Sequence, residues 1–281
     1  MGRREKFPPS QFFVHEERRI AYRIIGEGSR TIVFSHGLLM DVRMFSYLVP
    51  SLVAGGNRVL LVDMLGHGDS DQPHTMTSYS MTQFGADVIA LLEHLKIDEA
   101  VIGGTSLGAN IALEAAVIAP HRIRALVVEM PVLENGITAA AALFAPLALG
   151  LRLSHRTADK LAWLVRKIPR TFVYVDVFLD FARRDPLASL AVLDGCTFGR
   201  IAPPTEERQT LRHPALVIGH RSDPLHPCSD AERLTEELPN ARMVEAKSIY
   251  EWRVRPSRLN RELVSFLDEV WARPKANLEA V

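Results

Sequence analysis

The sequence predicts an α/β fold in which helices cover both faces of a mostly parallel β-sheet. Three observations lead to this prediction. Short apolar runs typical of buried strands alternate with longer helical patterns along most of the 281 residues. From about residue 133 to about residue 212 this alternation stops, and helical patterns dominate. After that segment the alternation resumes, which makes the helical segment an insertion between two strands of one sheet.

The first third of the chain contains the patterns of four strands. Residues 12–14 and 19–24 are separated by a polar turn, and the second run alternates between apolar and polar residues, which predicts an antiparallel pair at the sheet edge. Residues 31–34 and 59–62 are apolar throughout or nearly so, which is typical of strands buried on both faces. A helix is predicted between them over residues 45–54.

The remaining elements of the sheet follow the same logic. Pro120 ends one of the helices, and Ser80 or Met81 lies near the start of another. The predicted strands are residues 100–102, 124–128, 215–218 and 242–245, and the predicted helices are residues 80–95, 109–119, 229–238 and 256–271. The sheet therefore has eight predicted strands.

The inserted segment is predicted to form a helical cap, residues 133–212, on a core made of residues 1–132 and 213–281. Its helical patterns are residues 138–153, 158–166, 172–183 and 187–194. An insertion at this point lies over the carboxyl edge of the sheet, where open α/β sheets bind ligands. The most apolar run, residues 137–153, contains Pro146 and Arg152 and is short for a membrane span. We expect it to be a buried or pocket-facing helix.

Composition narrows the classes of partner. Lys plus Arg and Asp plus Glu are balanced at 33 each, so neither a nucleic acid nor a membrane surface is expected as a partner. Two cysteines, Cys196 and Cys228, give no disulfide framework, and residues 1–9 lack the apolar core of a signal peptide. We expect a cytoplasmic protein with a small-molecule substrate, and a homodimer remains open. The histidine spacing predicts no metal site, and no cofactor is expected.

The segment with the clearest chemical signature is Gly104-x-Ser106-x-Gly108, which lies between a predicted strand and a predicted helix. A serine on such a sharp turn is held in strained backbone with its hydroxyl lifted clear of the sheet. The glycines are needed because strand and helix pass closely there. The start of the helix offers free N–H groups to a developing negative charge. This context predicts a nucleophilic serine.

Four motifs in this order resemble the α/β-hydrolase fold family. They are His36-Gly37, Asp63-x-x-Gly66-His67-Gly68-Asp69-Ser70, the Ser106 turn, and Gly219-x-x-x-Asp223-Pro224-x-x-Pro227. The resemblance covers roughly residues 12–272 and points to the cap-bearing branch of esterases, epoxide hydrolases, dehalogenases and C–C-bond hydrolases. It implies the α/β-hydrolase fold, with a mostly parallel eight-stranded sheet, helices on both faces and an inserted helical cap.

The resemblance also implies roles for individual residues. Ser106 is the expected nucleophile, and the backbone N–H groups of Leu38 and Leu107 are the expected oxyanion hole. His36 shapes the loop that carries Leu38. Asp223 occupies the position of the acid of the catalytic triad, although an Asp-Pro pair is also a common start of a turn.

The chain departs from the family pattern at the catalytic histidine. The family places this residue between the last strand and the last helix, where this chain has Ile249 or its neighbour Tyr250. No histidine follows His226 in the sequence. A serine needs an adjacent base to become nucleophilic at neutral pH, so the base must be sought elsewhere. We expect Ile249 and Tyr250 to contact the substrate instead.

Three interpretations of this departure stay open at this point. In the first, His226 is a relocated base oriented by Asp223 or by Glu129, whose surroundings resemble the alternative acid site of some dehalogenases. In the second, the fold has kept its pocket and lost hydrolysis, as in the gibberellin receptor of plants, which is similar in having an apolar residue at the histidine position. In the third, a lyase or isomerase uses His36, His226 or Tyr250 as acid or base.

The prediction that follows is a serine-dependent hydrolase of a small, apolar ester or thioester substrate. Its catalytic residues would be Ser106, Asp223, His226 and Glu129. The competing classes are a ligand-binding protein without turnover and a non-hydrolytic enzyme. Fold alone does not identify a substrate.

Overall fold

The computed structural model describes residues 7–169, 179–180, 182–249 and 251–274. Its centre is an eight-stranded sheet with the spatial order β1-β2-β4-β3-β5-β6-β7-β8. The strands are β1 Gln11–His15, β2 Arg18–Ile25, β3 Arg30–Ser35, β4 Asn57–Asp63, β5 Ala100–Thr105, β6 Ile123–Glu129, β7 Ala215–His220 and β8 Ala241–Ala246. β1–β2 and β2–β4 are antiparallel, and the other neighbours are parallel. The predicted sheet and its antiparallel edge pair are confirmed.

From β3 onwards, helices connect the strands, and all but one of these connections follow the sequence patterns. For example, α2 begins after Ser80, whose hydroxyl accepts a hydrogen bond from the Gln83 N–H at 3.1 Å. The α-helices with both ends in the described residues are α1 Val49–Ala54, α2 Met81–His94, α3 Leu107–Ile118, α4 Glu134–Arg166, α5 Pro186–Phe198, α6 Thr205–Arg208, α7 Cys228–Glu237, α8 Glu251–Val254 and α9 Ser257–Ala272. Short 3₁₀ helices lie at Val42–Phe45, Met76–Ser78 and Pro120–Arg122.

The sheet has an apolar layer on each face because successive side chains of a strand point to opposite sides. In β5, Ile102 packs into the layer formed with α2, α3 and α7, whereas Val101 packs into the layer formed with α1 and α9. Both side chains are fully buried. The sheet is therefore covered by helices on both faces, as expected, and its carboxyl edge carries the loops that hold the predicted site residues.

One predicted helix differs from the structure. Residues 45–54 were expected to form a single helix, but the chain forms a 3₁₀ helix at Val42–Phe45 and then α1 at Val49–Ala54. Asp41 caps the start of the 3₁₀ helix, because its carboxylate accepts the Arg43 N–H at 2.9 Å. Pro50, which suits only the first turn of a helix, fixes the later start of α1.

Among the described residues, the segment between β6 and β7 contains helices and no strand. The predicted helices 138–153 and 158–166 are both part of α4, whose backbone leaves helical geometry at Ser154 (φ −137°, ψ 34°). The predicted helix 187–194 lies within α5, and most of the predicted helix 172–183 lies outside the described residues. The division into a core and a 133–212 cap stays a prediction.

The apolar run 137–153 is more exposed than the sequence predicts. Leu149 and Leu153 retain 54% and 76% of their accessible surface. The prediction of a buried helix was wrong for the end of the run that contains these two leucines. Near the start of the run, the side chains of Ile137, Ala140, Ala141 and Phe144 line a cavity. In the described part of the chain, the stretch Glu134–Ser154 has the length and composition of a membrane span, with a mean hydropathy of 1.6. A single stretch of this kind is weak evidence for a span.

Candidate active site

Ser106 lies on the sharp turn between β5 and α3. Its backbone has φ 55° and ψ −111°, a conformation that is rare for any residue except glycine. A Cβ atom at Gly104 would overlap the backbone of Gly108 and Ser35, and one at Gly108 would overlap the Ser35 carbonyl. Only glycine fits at these two positions, which gives the flanking glycines of the motif a steric cause.

The hydroxyl of Ser106 is hydrogen-bonded to His226. The distance from His226 Nε2 to Ser106 Oγ is 2.9 Å, and the distance from His226 Nδ1 to Asp223 Oδ2 is 2.8 Å. The side chains of His226 and Asp223 are 10% and 6% exposed, so water has little access to the bond between them. The three side chains form a continuous chain of hydrogen bonds, although His226 and Asp223 are only three residues apart.

Asp223 also shapes the loop that carries His226. Its Oδ1 accepts the backbone N–H groups of Leu225 at 2.8 Å and of His226 at 3.0 Å. Asp223 therefore contacts the loop backbone through one carboxylate oxygen and the His226 ring through the other. Burial alone would raise the pKa of Asp223, but the hydrogen bond and charge of His226 outweigh burial and lower it.

Two buried histidines brace the loop after β3. His36 Nδ1 lies 2.8 Å from the Gly37 carbonyl, and its Nε2 accepts the Met64 N–H at 3.0 Å. His67 Nε2 accepts the N–H of Leu39, which has φ 61°. An Nε2 that accepts a hydrogen bond carries no proton, so both rings are neutral. Burial lowers the pKa of both histidines, in agreement with this tautomer.

Ser106 and His226 open onto a mostly apolar cavity of about 110 Å³. Leu38 and Leu107, whose N–H groups were predicted as oxyanion donors, contribute to its wall. The other lining residues are Met81, Asn110, Val132, Ile137, Ala140, Ala141, Phe144, Leu193, Cys196, Thr197, Ile201 and Leu225. The cavity thus lies between the carboxyl edge of the sheet and the inserted helices α4 and α5.

Glu129 lies behind the serine turn rather than beside His226. Its carboxylate accepts hydrogen bonds from Thr105 Oγ1 and from Arg253, whose Nη2 is 2.6 Å from Oε2. His220 Nε2 lies 3.2 Å from Oε1. Burial would raise the pKa of Glu129, but the charge of Arg253, together with His220, lowers it to about 2. The main-chain carbonyl of Glu129 also accepts the Ser106 N–H at 2.8 Å.

The remaining predicted site residues lie elsewhere. His36 is fully buried under the loop and is not among the residues that line the cavity. Ile249 is half-buried and does not line the cavity either, and Tyr250 lies outside the described residues. After β8, the chain instead directs Arg253 towards Glu129.

Two residues of the site were missed by the sequence reasoning. His220 ends β7 and lies between Glu129 and the Ser248 carbonyl. Asn110 lines the cavity, and its amide donates to the carbonyls of Val132 and Ile201 at 2.8 Å each. Asn110 could have been found from its spacing, because a residue four positions after Ser106 lies one helical turn further along α3.

Comparisons with known proteins bear on the family and the fold. The sequence profile of the alpha/beta hydrolase fold matches residues 30–250. The 2-hydroxy-6-oxononadienedioate/2-hydroxy-6-oxononatrienedioate hydrolase of Cupriavidus pinatubonensis is 28% identical over 89% of this chain and 91% of that protein. The dihydrolipoyllysine-residue acetyltransferase component of the acetoin cleaving system of Pseudomonas putida is 26% identical over 88% of this chain. This chain spans 65% of that component, less than two thirds of its length.

A solved structure gives the same result for the fold. The enol-lactonase from Burkholderia xenovorans superimposes with a TM-score of 0.75 at 24% identity, over 92% of this chain and 100% of that one. The profile and this structure confirm the predicted fold. The profile and the hydrolase relative confirm the prediction of an enzyme of the hydrolase type. Because the profile matches well over half of the residues of this chain, the chain belongs to the α/β-hydrolase fold family.

Proposed function

We propose that this protein is a serine hydrolase whose base, His226, lies on the same loop as its acid, Asp223. The observation that carries the proposal is the hydrogen-bond chain from Ser106 Oγ through His226 to Asp223, with distances of 2.9 Å and 2.8 Å. This chain provides what a serine nucleophile requires, a base within reach and a third group that orients the base. A histidine after the last strand is then not needed.

In the proposed reaction, Ser106 Oγ attacks the carbonyl carbon of an ester while its proton moves to His226 Nε2. The carbonyl electron pair moves onto oxygen, and Asp223 stabilises the imidazolium. When the carbonyl forms again, the alkoxide leaves and takes the proton from Nε2, so that an acyl group stays on Ser106. Water deprotonated by the same nitrogen then releases the acid and regenerates the serine.

The oxyanion would be bound by the backbone N–H groups of Leu38 and Leu107. Both residues line the cavity beside Ser106, and Leu107 is the first residue of α3, where N–H groups have no partner within the helix. Each such donor contributes about 3 kcal/mol to stabilisation of the transition state. The neutral rings of His36 and His67 support the proposal because they hold the loop backbone without adding charge.

The proposed substrate is a small ester or thioester with an apolar acyl group. The cavity of about 110 Å³ is walled mainly by aliphatic side chains and Phe144, which suits a short hydrocarbon chain. The structural similarity to an enol-lactonase is compatible with this class, since an enol-lactone is an internal ester.

The test is labelling with a fluorophosphonate probe, followed by kinetics with p-nitrophenyl butyrate. We expect wild type to be labelled and S106A and H226A to lose labelling, with kcat falling by roughly 10³-fold or more in each. D223N should fold and lose about 10³–10⁴-fold in kcat, because an amide can hold His226 in the wrong tautomer.

The matched control is H74Q, which alters an exposed histidine that is paired with Asp185 away from the cavity. H74Q should label like wild type. Absence of labelling in folded wild type would contradict the proposal and favour a ligand-binding protein or a non-hydrolytic enzyme. Loss of labelling in S106A alone would keep the nucleophile and reject His226 as its base.

A further inference from the structure

The helix α4 carries an apolar surface that no described part of the chain covers. Beyond the residues that line the cavity, its exposed side chains include Leu161, Trp163 and Leu164, which retain 54–55% of their accessible surface. We define the cap surface as Leu149, Leu153, Leu161, Trp163 and Leu164 of α4 together with Ile168, which follows the helix; all six are exposed. Several large apolar side chains exposed on one element indicate a site of contact with a partner or a lipid surface.

The second half of α4 is amphipathic. Leu161 and Leu164 are three residues apart and share one exposed face, while Ala162 and Val165 are buried against the rest of the fold. Lys160 lies in the same half of the helix, and Lys167 directly follows its last residue. The Lys167 ammonium lies 3.4 Å from the centre of the Trp163 ring. Tryptophan beside lysine is typical of helices that lie at a membrane–water interface.

The charge of this segment decides between possible occupants of the cap surface. Residues 134–169 contain five basic residues, Arg152, Arg156, Lys160, Arg166 and Lys167, and two acidic residues, Glu134 and Asp159. Arg152 is paired with Asp194 of α5 at 2.6 Å, so the excess of positive charge lies towards the end of the segment. In a symmetric dimer the same patch meets itself, so two copies would bring like charges together. An anionic bilayer surface offers complementary charge and an apolar layer below it.

We propose that the cap surface docks on anionic lipid bilayers, with α4 lying in the interface rather than crossing it. The balanced net charge of the whole chain hid this feature from the sequence reasoning, because the acidic residues lie elsewhere. The first half of the same helix lines the cavity through Ile137 and Phe144. Docking would therefore bring the entrance of the cavity close to the apolar molecules dissolved in the bilayer.

Co-sedimentation with vesicles tests this proposal. Full-length protein is mixed with vesicles of phosphatidylcholine alone or of phosphatidylcholine and phosphatidylglycerol in equal amounts. We expect binding to the anionic vesicles, weakened by high salt because the Debye length shortens to about 3 Å at 1 M. L161E/L164E should reduce the partition coefficient about tenfold or more, since two apolar anchors become anionic.

The matched control is V14E, which places the same charge on an exposed valine of β1, outside the cap surface. V14E should bind like wild type. Turnover of a soluble short ester by L161E/L164E should equal that of wild type, because neither leucine lines the cavity.

Wild type that stays in the supernatant with anionic vesicles would overturn the proposal, as would equal binding of wild type and L161E/L164E. Light scattering that shows a dimer broken by L161E/L164E would assign the surface to a second copy instead. Partition does not depend on Ser106, so this test fails or succeeds independently of the proposed function.

Discussion

Arg253 Nη2 lies 2.6 Å from Glu129 Oε2, directly behind the turn that carries Ser106. Arg253 belongs to the segment between β8 and α9, where the family pattern places a catalytic histidine. In this chain the segment provides a cation that neutralises a fully buried carboxylate. The backbone carbonyl of Glu129 also accepts the Ser106 N–H. The ion pair therefore fixes a residue whose backbone is hydrogen-bonded to the serine turn.

Breaking this ion pair is expected to destabilise the protein. R253M leaves the Glu129 carboxylate buried without its main counter-charge, which costs about 3–5 kcal/mol. Urea unfolding followed by circular dichroism measures the loss. E129Q/R253M, which removes both charges, should recover a large part of it, because the unpaired charge is gone.

The control for this experiment is R221M, which breaks the exposed pair between Arg221 and Glu245. An exposed pair contributes only about 0–1 kcal/mol, so R221M should unfold close to wild type. Equal effects of R253M and R221M would show that the buried pair has no special role in stability.

The same carboxylate predicts a pH dependence of stability. The pKa of Glu129 is lowered from 4.5 to about 2 in the folded protein. The contribution of Glu129 is therefore fully present above about pH 5 and is lost as the pH falls towards 2, because the unfolded state binds the proton first. The shift corresponds to about 3 kcal/mol of unfolding free energy.

Urea unfolding of wild type and E129Q between about pH 6 and pH 3 measures the contribution of Glu129 to the unfolding free energy. The stability of E129Q should fall less steeply with decreasing pH than that of wild type. Parallel curves for the two proteins would mean that Glu129 does not carry the pH dependence.

The sequence was sufficient to predict the fold because the residues of each element all favour the same local structure. The buried strand β5, the glycines around Ser106 and the start of α3 all point to one turn, and their causes are steric and short in range. The loop geometry of His226 was not predictable in the same way. Spacing put it three residues after Asp223, but only the fold decides that its ring faces Ser106.

The hydrogen-bond partners of Glu129 were likewise not predictable from the sequence. Its candidate role as an orienting acid rested on its position at the end of β6, which the structure retains. Which cation or imidazole meets it depends on β7 and on the segment after β8, which are far away in sequence. Contacts of this range leave no local pattern, so Arg253 and His220 could not be paired with Glu129 beforehand.

The cavity beside Ser106 predicts a limit on acyl chain length that α4 sets. Ala140 lines the cavity and neighbouring Ala139 does not. A140F adds a ring to a space of about 110 Å³, which a longer acyl chain would need. We expect kcat/KM for p-nitrophenyl hexanoate to fall about tenfold or more, which corresponds to the ~1–3 kcal/mol that methylene groups contribute in an apolar pocket. The value for the acetate ester should change much less, since its acyl group stays next to Ser106.

A139F adds the same volume outside the cavity wall and should leave the ratio of kcat/KM for hexanoate to that for acetate unchanged. An unchanged ratio in A140F would place the acyl group of the substrate outside this cavity.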